Sequence, residues 1–251
     1  MNRKRVGFFD LTGCEGCQLT VLNLEEQLLD LLEVIDLVEF RELMQDQAER
    51  LDIAFVEGSV VKPAEEERLR AIRAKSERLI ALGACAATGG INRLATLHAP
   101  DHLWSSSFGR SEPLWEMGTP RPLAAVVPID GEVPGCPIDG REFVSILQGL
   151  LMGQELEIPT FPVCAECKLA ELPCSFEQGA PCLGPLTRSG CGAVCIRGGD
   201  VCRGCRGEVD NPRSGPYHRI LEEHGWQVEQ VLAELRIYPH QADGDDDAAA
   251  D

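Results

Sequence analysis

The sequence predicts an α/β protein in two parts: an N-terminal open parallel sheet and a smaller, irregular domain that follows it. Over residues 1–155, short apolar runs alternate with stretches of helical spacing, which is typical of βαβ units and a parallel sheet. Over most of residues 156–240, Pro, Gly and Cys dominate and no helical period persists. The chain has 251 residues, of which 44% are hydrophobic, so it is long enough for one sizeable core and an appendage.

Four short apolar runs are predicted to be strands. Each is bounded by a turn or by a helical stretch, and they lie at residues 6–9, 51–57, 79–83 and 124–128. Because the strands are separated by helices, the sheet is expected to be parallel. The predicted fold class for residues 1–155 is therefore α/β with a flavodoxin-like open parallel sheet.

The helices are predicted from apolar spacing and from their first residues. Apolar residues recur at helical spacing over residues 19–34 and again over residues 220–235. Pro63 opens a charged helix that runs to about residue 75, because its missing N–H costs least in the first turn. Asp139 is a suitable cap for a helix that runs to about residue 152. Residues 241–251 form an acidic tail that is expected to be disordered.

Charge and hydropathy exclude several classes of partner. Lys and Arg total 23 against 41 Asp and Glu, a formal net charge of −18, which repels nucleic acid and anionic lipid. No apolar stretch approaches the roughly 18 residues that a membrane span requires, so membrane insertion is not expected. The basic N-terminus is followed by an apolar run too short for a signal peptide, which favours a cytoplasmic protein. Export with a partner that carries the signal is the alternative.

Four of the twelve cysteines lie in the predicted α/β part, each just beyond a predicted strand: Cys14, Cys17, Cys85 and Cys136. The carboxyl ends of parallel strands meet at one edge of a sheet, so these thiols can converge there. Four thiolates are the number that one [4Fe–4S] cluster requires. Buried structural thiols and a zinc site are the alternatives, although zinc sites usually take ligands from two local pairs.

The other eight cysteines fall within 42 residues and include two Cys-x2-Cys pairs: Cys164, Cys167, Cys174, Cys182, Cys191, Cys195, Cys202 and Cys205. This segment is poor in apolar side chains, and metal ligation can supply the missing folding energy. The spacing fits two further [4Fe–4S] clusters, and it fits two all-thiolate zinc sites as well. No cysteine is left over for nucleophilic catalysis.

Seven motifs in this order resemble the small subunit of [NiFe] hydrogenases, and more narrowly its cytoplasmic, multi-subunit branch. That branch includes sulfhydrogenase delta-type and viologen-reducing hydrogenase small subunits. The resemblance covers about residues 4–210 and rests on LTGCEGCQLTVL, AFVEGSV, ALGACAATGG, VPGCPIDGREF, CAECKLAELPC, PCLGPLTRSGC and VCRGCRG. The first quartet also resembles a subunit of NADH:quinone oxidoreductase. That relative has adjacent paired cysteines and lacks the eight-cysteine extension.

The resemblance implies three [4Fe–4S] clusters. Cys14, Cys17, Cys85 and Cys136 would hold the proximal cluster, Cys191, Cys195, Cys202 and Cys205 the medial cluster, and Cys164, Cys167, Cys174 and Cys182 the distal cluster. Many membrane-linked relatives have His at the first distal position and lack one medial Cys, so Cys164 and Cys195 fit the cytoplasmic branch.

The same resemblance implies the role of the chain. It would be an oxidoreductase subunit that carries no catalytic residue of its own. It would relay electrons between the nickel–iron site of a partner large subunit, where H2 is oxidised or evolved, and a further acceptor or diaphorase-type subunit. The alternatives are an iron–sulfur subunit of a quinone-oxidoreductase-like complex and a zinc-binding, non-catalytic module.

Overall fold

The computed structural model describes residues 3–44, 48–97, 100–110, 116, 118–212, 214–235 and 237–238. The chain divides into a first unit, residues 1–156, and a second unit, residues 157–251.

Five parallel strands form the sheet of the first unit. They are β1 (Lys4–Asp10), β2 (Ile35–Phe40), β3 (Leu51–Glu57), β4 (Ser76–Leu82) and β5 (Gly131–Val133). Their order is β2-β1-β3-β4-β5, and every neighbouring pair is parallel. This is the flavodoxin-like order, in which ligands bind at the carboxyl edge near the point where the strand order reverses. The predicted α/β class is confirmed.

Helices cover both faces of this sheet. They are α1 (Gly16–Leu22), α2 (Glu26–Val34), α3 (Pro63–Lys75), α4 (Gly83–Thr88), α5 (Pro100–Phe108) and α6 (Gly140–Leu151), with 3-10 turns at Gly90–Leu97 and Leu123–Ala125. Two of the predicted starts are confirmed. Pro63 is the first residue of α3. The side chain of Asp139 caps α6, where it accepts from the N–H groups of Arg141 and Glu142, both at 3.0 Å.

The hydrophobic core lies in two layers because successive strand residues point to opposite faces. Phe8 and Phe55 pack on one face together with Phe143 of α6. Phe9 and Val56 belong to the opposite layer, which also contains Leu69 and Ile72 of α3.

Three expectations about the first unit are wrong in detail. The run at residues 124–128 is not a strand: it begins as a 3-10 turn, and the strand follows at Gly131–Val133. Short apolar runs do not distinguish a strand from a buried turn, and Pro122 and Pro128 flank this one. The helix predicted over residues 19–34 is two helices, with Glu25 at a positive φ of 51° between them. The strand β2, which follows directly, was not predicted.

The second unit has little regular structure. Its helices are α7 (Val163–Leu169), α8 (Val194–Arg197), α9 (Ser214–Glu223) and α10 (Val228–Leu235). The expectation of one short C-terminal helix is corrected here, because Gly225, at a φ of 75°, lies between α9 and α10. These two helices pack around Leu183 and Leu186, so part of the unit does have a small apolar core.

Two further expectations concern a membrane span and the acidic tail. Among the described helices, none is both long and apolar enough to cross a bilayer. The acidic tail at 241–251 lies outside the described residues.

Candidate metal centres

The first four candidate cysteines lie at the carboxyl edge of the sheet. Cys14 and Cys17 follow β1, Cys85 lies in α4 directly after β4, and Cys136 follows β5. The strand that precedes Cys136 is β5 and not the predicted run at residues 124–128. Cys136 nevertheless lies at the predicted carboxyl edge of the sheet. Charge interactions connect Cys17 with Cys85 and Cys136, and Cys85 with Cys14 and Cys136. The fold therefore brings these four thiols within electrostatic reach of one another.

Burial makes these thiols hard to ionise without a compensating charge. Cys17 is buried and Cys85 is partly buried. Burial raises the pKa of Cys17 strongly and that of Cys85 to about 12, and the neighbouring cysteines add to both shifts. A metal ligand must be a thiolate, and a bound cation supplies the charge that reverses this preference.

Backbone groups approach these sulfurs closely. The N–H of Ile138 donates to the sulfur of Cys17, and the N–H of Ile91 donates to that of Cys85. A side chain at Gly83, where φ is +84°, would overlap with the sulfur of Cys17. A Cβ at Gly90 would lie 2.8 Å from the sulfur of Cys85. All-thiol donors with backbone N–H groups directed at sulfur fit an iron–sulfur cluster.

A buried carboxylate lies beside the same thiols. Glu57, at the end of β3, is 3% exposed, and its Oε1 accepts from the N–H of Cys17 at 3.1 Å. Its Oε2 accepts from the N–H of Gln18 at 2.9 Å. Burial raises the pKa of Glu57, and the two N–H groups partly offset that effect. Glu57 thus holds the first turn of α1 in place.

In the second unit, the first four of the eight cysteines lie close to one another. Cys164 interacts electrostatically with Cys182, Cys167 and Cys174, and burial raises its pKa to about 12. A Cβ at Gly184 would lie 3.4 Å from the sulfur of Cys182 and 3.5 Å from that of Cys164. Gly184 therefore lies within van der Waals distance of both sulfurs.

The remaining four cysteines interact less uniformly with one another than the first four do. Cys202 interacts with Cys205 and also with Cys182, whose sulfur accepts from the N–H of Cys202 at 3.3 Å. The strongest charge effects on Cys191 come from Glu166 and Arg206. Those on Cys195 come from Asp200 and Arg203. The division of the eight cysteines into two quartets therefore stays a prediction.

Two charged residues of this unit were missed by the sequence analysis. Glu166 lies between the cysteines of one Cys-x2-Cys pair, and Arg206 directly follows the other. The signal available in the sequence was that both residues lie next to candidate cysteine ligands. In the described ranges, no group of three or more His, Cys, Asp or Glu is arranged to hold a metal ion. Such a site needs donors that converge on one point, whereas a cubane holds its thiolates apart at its corners.

Comparison with known families first defines the class of protein. Residues 14–150 match the family described as NADH ubiquinone oxidoreductase, 20 Kd subunit. One chain of an NAD+-reducing [NiFe]-hydrogenase in the H2-reduced state superposes with a TM-score of 0.57 at 27% identity, covering 63% of this chain and 96% of that one. A [NiFeSe]-hydrogenase of Desulfomicrobium baculatum shares the fold, with a TM-score of 0.58 at 18% identity over 85% of this chain and 97% of that one.

Sequence relatives make the class more specific. The chain is 38% identical over 237 residues to sulfhydrogenase 2 subunit delta of Pyrococcus furiosus, covering 93% of this chain and 98% of that protein. It is 34% identical to a subunit of the F420-non-reducing hydrogenase vhu of Methanocaldococcus jannaschii, over 82% of both chains. The chain belongs to the family of [NiFe] hydrogenase small subunits, as its motifs predict. It is the iron–sulfur subunit of a multi-subunit hydrogenase and thus part of an oxidoreductase.

Proposed function

We propose that this subunit relays electrons through three [4Fe–4S] clusters between the nickel–iron site of a partner large subunit and a further acceptor or diaphorase-type subunit. The observation that carries the proposal is the convergence of Cys14, Cys17, Cys85 and Cys136 at one sheet edge, from three separate strands. When bound, each cluster supplies a site that takes up and gives back one electron.

Each quartet has its own place in the proposal. Cys14, Cys17, Cys85 and Cys136 hold the proximal cluster. The medial cluster is assigned to Cys191, Cys195, Cys202 and Cys205, and the distal cluster to Cys164, Cys167, Cys174 and Cys182. The mutual charge interactions of Cys164, Cys167, Cys174 and Cys182 support the last assignment.

The chain's own contribution is to hold the thiolates and to stabilise their charge. In the second unit, the sulfur of Cys182 accepts from the N–H of Gly184 at 3.4 Å as well as from that of Cys202. The sulfur of Cys202 is approached by the Thr187 hydroxyl and the N–H of Gly204. Donors to sulfur stabilise the more negative, reduced state and raise the reduction potential.

Exposed apolar side chains beside the first quartet support the proposal that a partner subunit covers this edge of the sheet. Leu19, two residues after Cys17, is 49% exposed, and Ile91, whose N–H donates to Cys85, is 42% exposed. Cys14 is exposed as well. A large subunit that covers this edge would remove these side chains from water and shield the cluster. We place the assembly in the cytoplasm, where free thiols are kept reduced.

The test uses the complex purified without oxygen. Iron, acid-labile sulfide, nickel and zinc are measured, and reduced samples are examined by electron paramagnetic resonance. We expect about twelve irons per small subunit, four for each cluster, together with nickel on a co-purifying chain. Zinc in place of iron would indicate the zinc-binding module, and a nickel-free partner would indicate a quinone-oxidoreductase-like complex.

Single substitutions then test the quartets. C85S, C164S and C195S should each remove one resonance signal and about four irons, and each should remove a different signal. Loss of the same signal in C164S and C195S would contradict the division of the second unit into two quartets.

A further inference from the structure

The loop that carries Cys191 is held from one side by a buried cation. Residues 189–193 have no helix or strand. The carbonyl oxygen of Ser189 accepts from Nε of Arg206 at 2.7 Å, and the N–H of Ser189 donates to the carbonyl of Phe161 at 2.9 Å. Arg206 is 1% exposed and directly follows Cys205. The start of this loop is therefore fixed to the segment that carries the last cysteine pair.

From the other side, the loop is held by the carboxylate of Glu166, which lies between two cysteines of the other quartet. Glu166 lies in α7, between Cys164 and Cys167. Its Oε1 accepts from the N–H of Gly190 at 2.8 Å, and its Oε2 accepts from the N–H of Ala193 at 3.2 Å. The same Oε2 is 3.8 Å from the sulfur of Cys191. One side chain thus joins the helix of one quartet to the backbone on both sides of a cysteine of the other.

The charge of Glu166 reaches thiols of both quartets. Its Oε2 is 3.8 Å from the sulfur of Cys191 in one quartet, and Glu166 directly precedes Cys167 of the other quartet in α7. A negative charge that disfavours a thiolate also disfavours an added electron on a cluster held by that thiolate, since both increase the local negative charge.

We propose that Glu166 is a positioning residue shared by the two quartets of the second unit, and that its charge lowers the reduction potentials of both clusters. It fixes the Cys191 loop against the helix of Cys164 and Cys167 through two hydrogen bonds. The inference rests on the proposed function, because it requires a cluster in each quartet.

The test is a potentiometric titration of the complete complex followed by electron paramagnetic resonance. E166Q keeps the length of the side chain, but it is neutral, and its amide nitrogen cannot accept from an N–H. We expect both potentials to rise, with the reduction equilibrium of each shifting about tenfold, or about 59 mV for one electron. The iron content should stay unchanged.

Glu177 provides the matched control. It lies in the same unit, three residues after Cys174, and is exposed. E177Q removes the same charge from a site screened by water, so neither potential should move. Equal shifts in E166Q and E177Q would mean that the potentials respond only to the net charge of the chain, and this would overturn the proposal.

A second variant covers the case in which E166Q loses iron. E166D keeps the charge on a shorter arm that cannot reach both N–H groups, so it should move both potentials in the same direction by a smaller amount. Unchanged potentials in an iron-replete variant overturn the role of Glu166 and leave the proposed function intact. A wild-type complex without iron–sulfur signals overturns the proposed function instead.

Discussion

The carboxylate of Glu57 accepts the backbone N–H of Cys17 at 3.1 Å, which ties the end of β3 to the first turn of α1. In the sheet, Glu57 is paired with Asp10, the last residue of β1. The segment that leaves β1 therefore crosses to the neighbouring strand before its helix begins. This contact fixes the position of Cys17 through its backbone N–H.

Replacing this carboxylate should destabilise the first unit. E57Q keeps one acceptor but turns an amide N–H2 towards a backbone N–H, so one buried donor loses its partner. We expect the free energy of unfolding to fall by about 1–3 kcal/mol in chemical denaturation. Glu77 of β4 is exposed, and E77Q should leave the stability unchanged. Equal effects of the two substitutions would contradict the role of the buried contact.

The space between Gly83 and Cys17 should be essential for the proximal cluster. In G83A, the new Cβ overlaps with the sulfur of Cys17 at a backbone φ of +84°. We expect the loss of about four irons and of one resonance signal, with the others retained. Gly153 has a similar φ of +76°, and a Cβ added there would have no neighbouring atom within 4 Å, so G153A has the same backbone strain without the clash. Retention of all irons in G83A would contradict this prediction.

Removal of the metal should expose differences in thiol reactivity. Because burial raises the pKa of Cys85 to about 12, little of this thiol is ionised at pH 8, and the thiolate is the reactive form. In metal-free protein, iodoacetamide should label Cys85 at least about tenfold more slowly than the exposed Cys14 of the same unit. Mass spectrometry measures the rates, which should converge in denaturant. Equal rates in the folded protein would contradict the predicted shift.

Packing of aromatic rings should dominate the stability of the first unit. Phe55 is fully buried, with ring centroids 5.2 Å from those of both Phe8 and Phe143. F55A should lower the free energy of unfolding by about 3–5 kcal/mol, through lost burial and the cavity left behind. Leu29 of α2 is 64% exposed, and L29A should cost about 0.5 kcal/mol or less. A small effect of F55A in denaturant titrations would mean that the core collapses around the gap.

The cap of α6 should make a smaller, separable contribution. Asp139 accepts from two N–H groups of the first turn, so D139A should cost about 1 kcal/mol. D139N retains the acceptor oxygen and should stay close to wild type. Denaturant titrations of the three proteins measure the difference, and a loss in D139N as large as that in D139A would assign the effect to charge instead of capping.

The elements predicted correctly are those whose signals are local. Pro63 and Asp139 mark helix starts because their own backbone or side chain satisfies the first turn, whatever lies around them. The prediction of a strand at residues 124–128 was wrong because the position of a strand in the sheet depends on contacts with its neighbouring strand. Asp130 accepts from the N–H of Leu79 at 2.7 Å, and its own N–H donates to the carbonyl of Leu79 at 2.8 Å. The chain joins β4 only at that point, beyond the end of the apolar run.

The candidate ligands could be found from the sequence because cysteines are rare and their spacing is itself the signal. Two residues that support them could not, since Glu166 and Arg206 act through backbone groups far away in the chain. A carboxylate in the sequence does not show which N–H groups it will accept from.

The amino-acid sequence by itself determined the α/β class, the identity of the twelve thiols and the family. Each follows from composition, periodicity or motif order, which are properties of the chain alone. The tertiary structure decided the strand order, the convergence of Cys14, Cys17, Cys85 and Cys136, and the contacts that hold them. The physical reason is that parallel strands pair over long separations, so the neighbours of a side chain are set by packing between elements and not by its position in the chain.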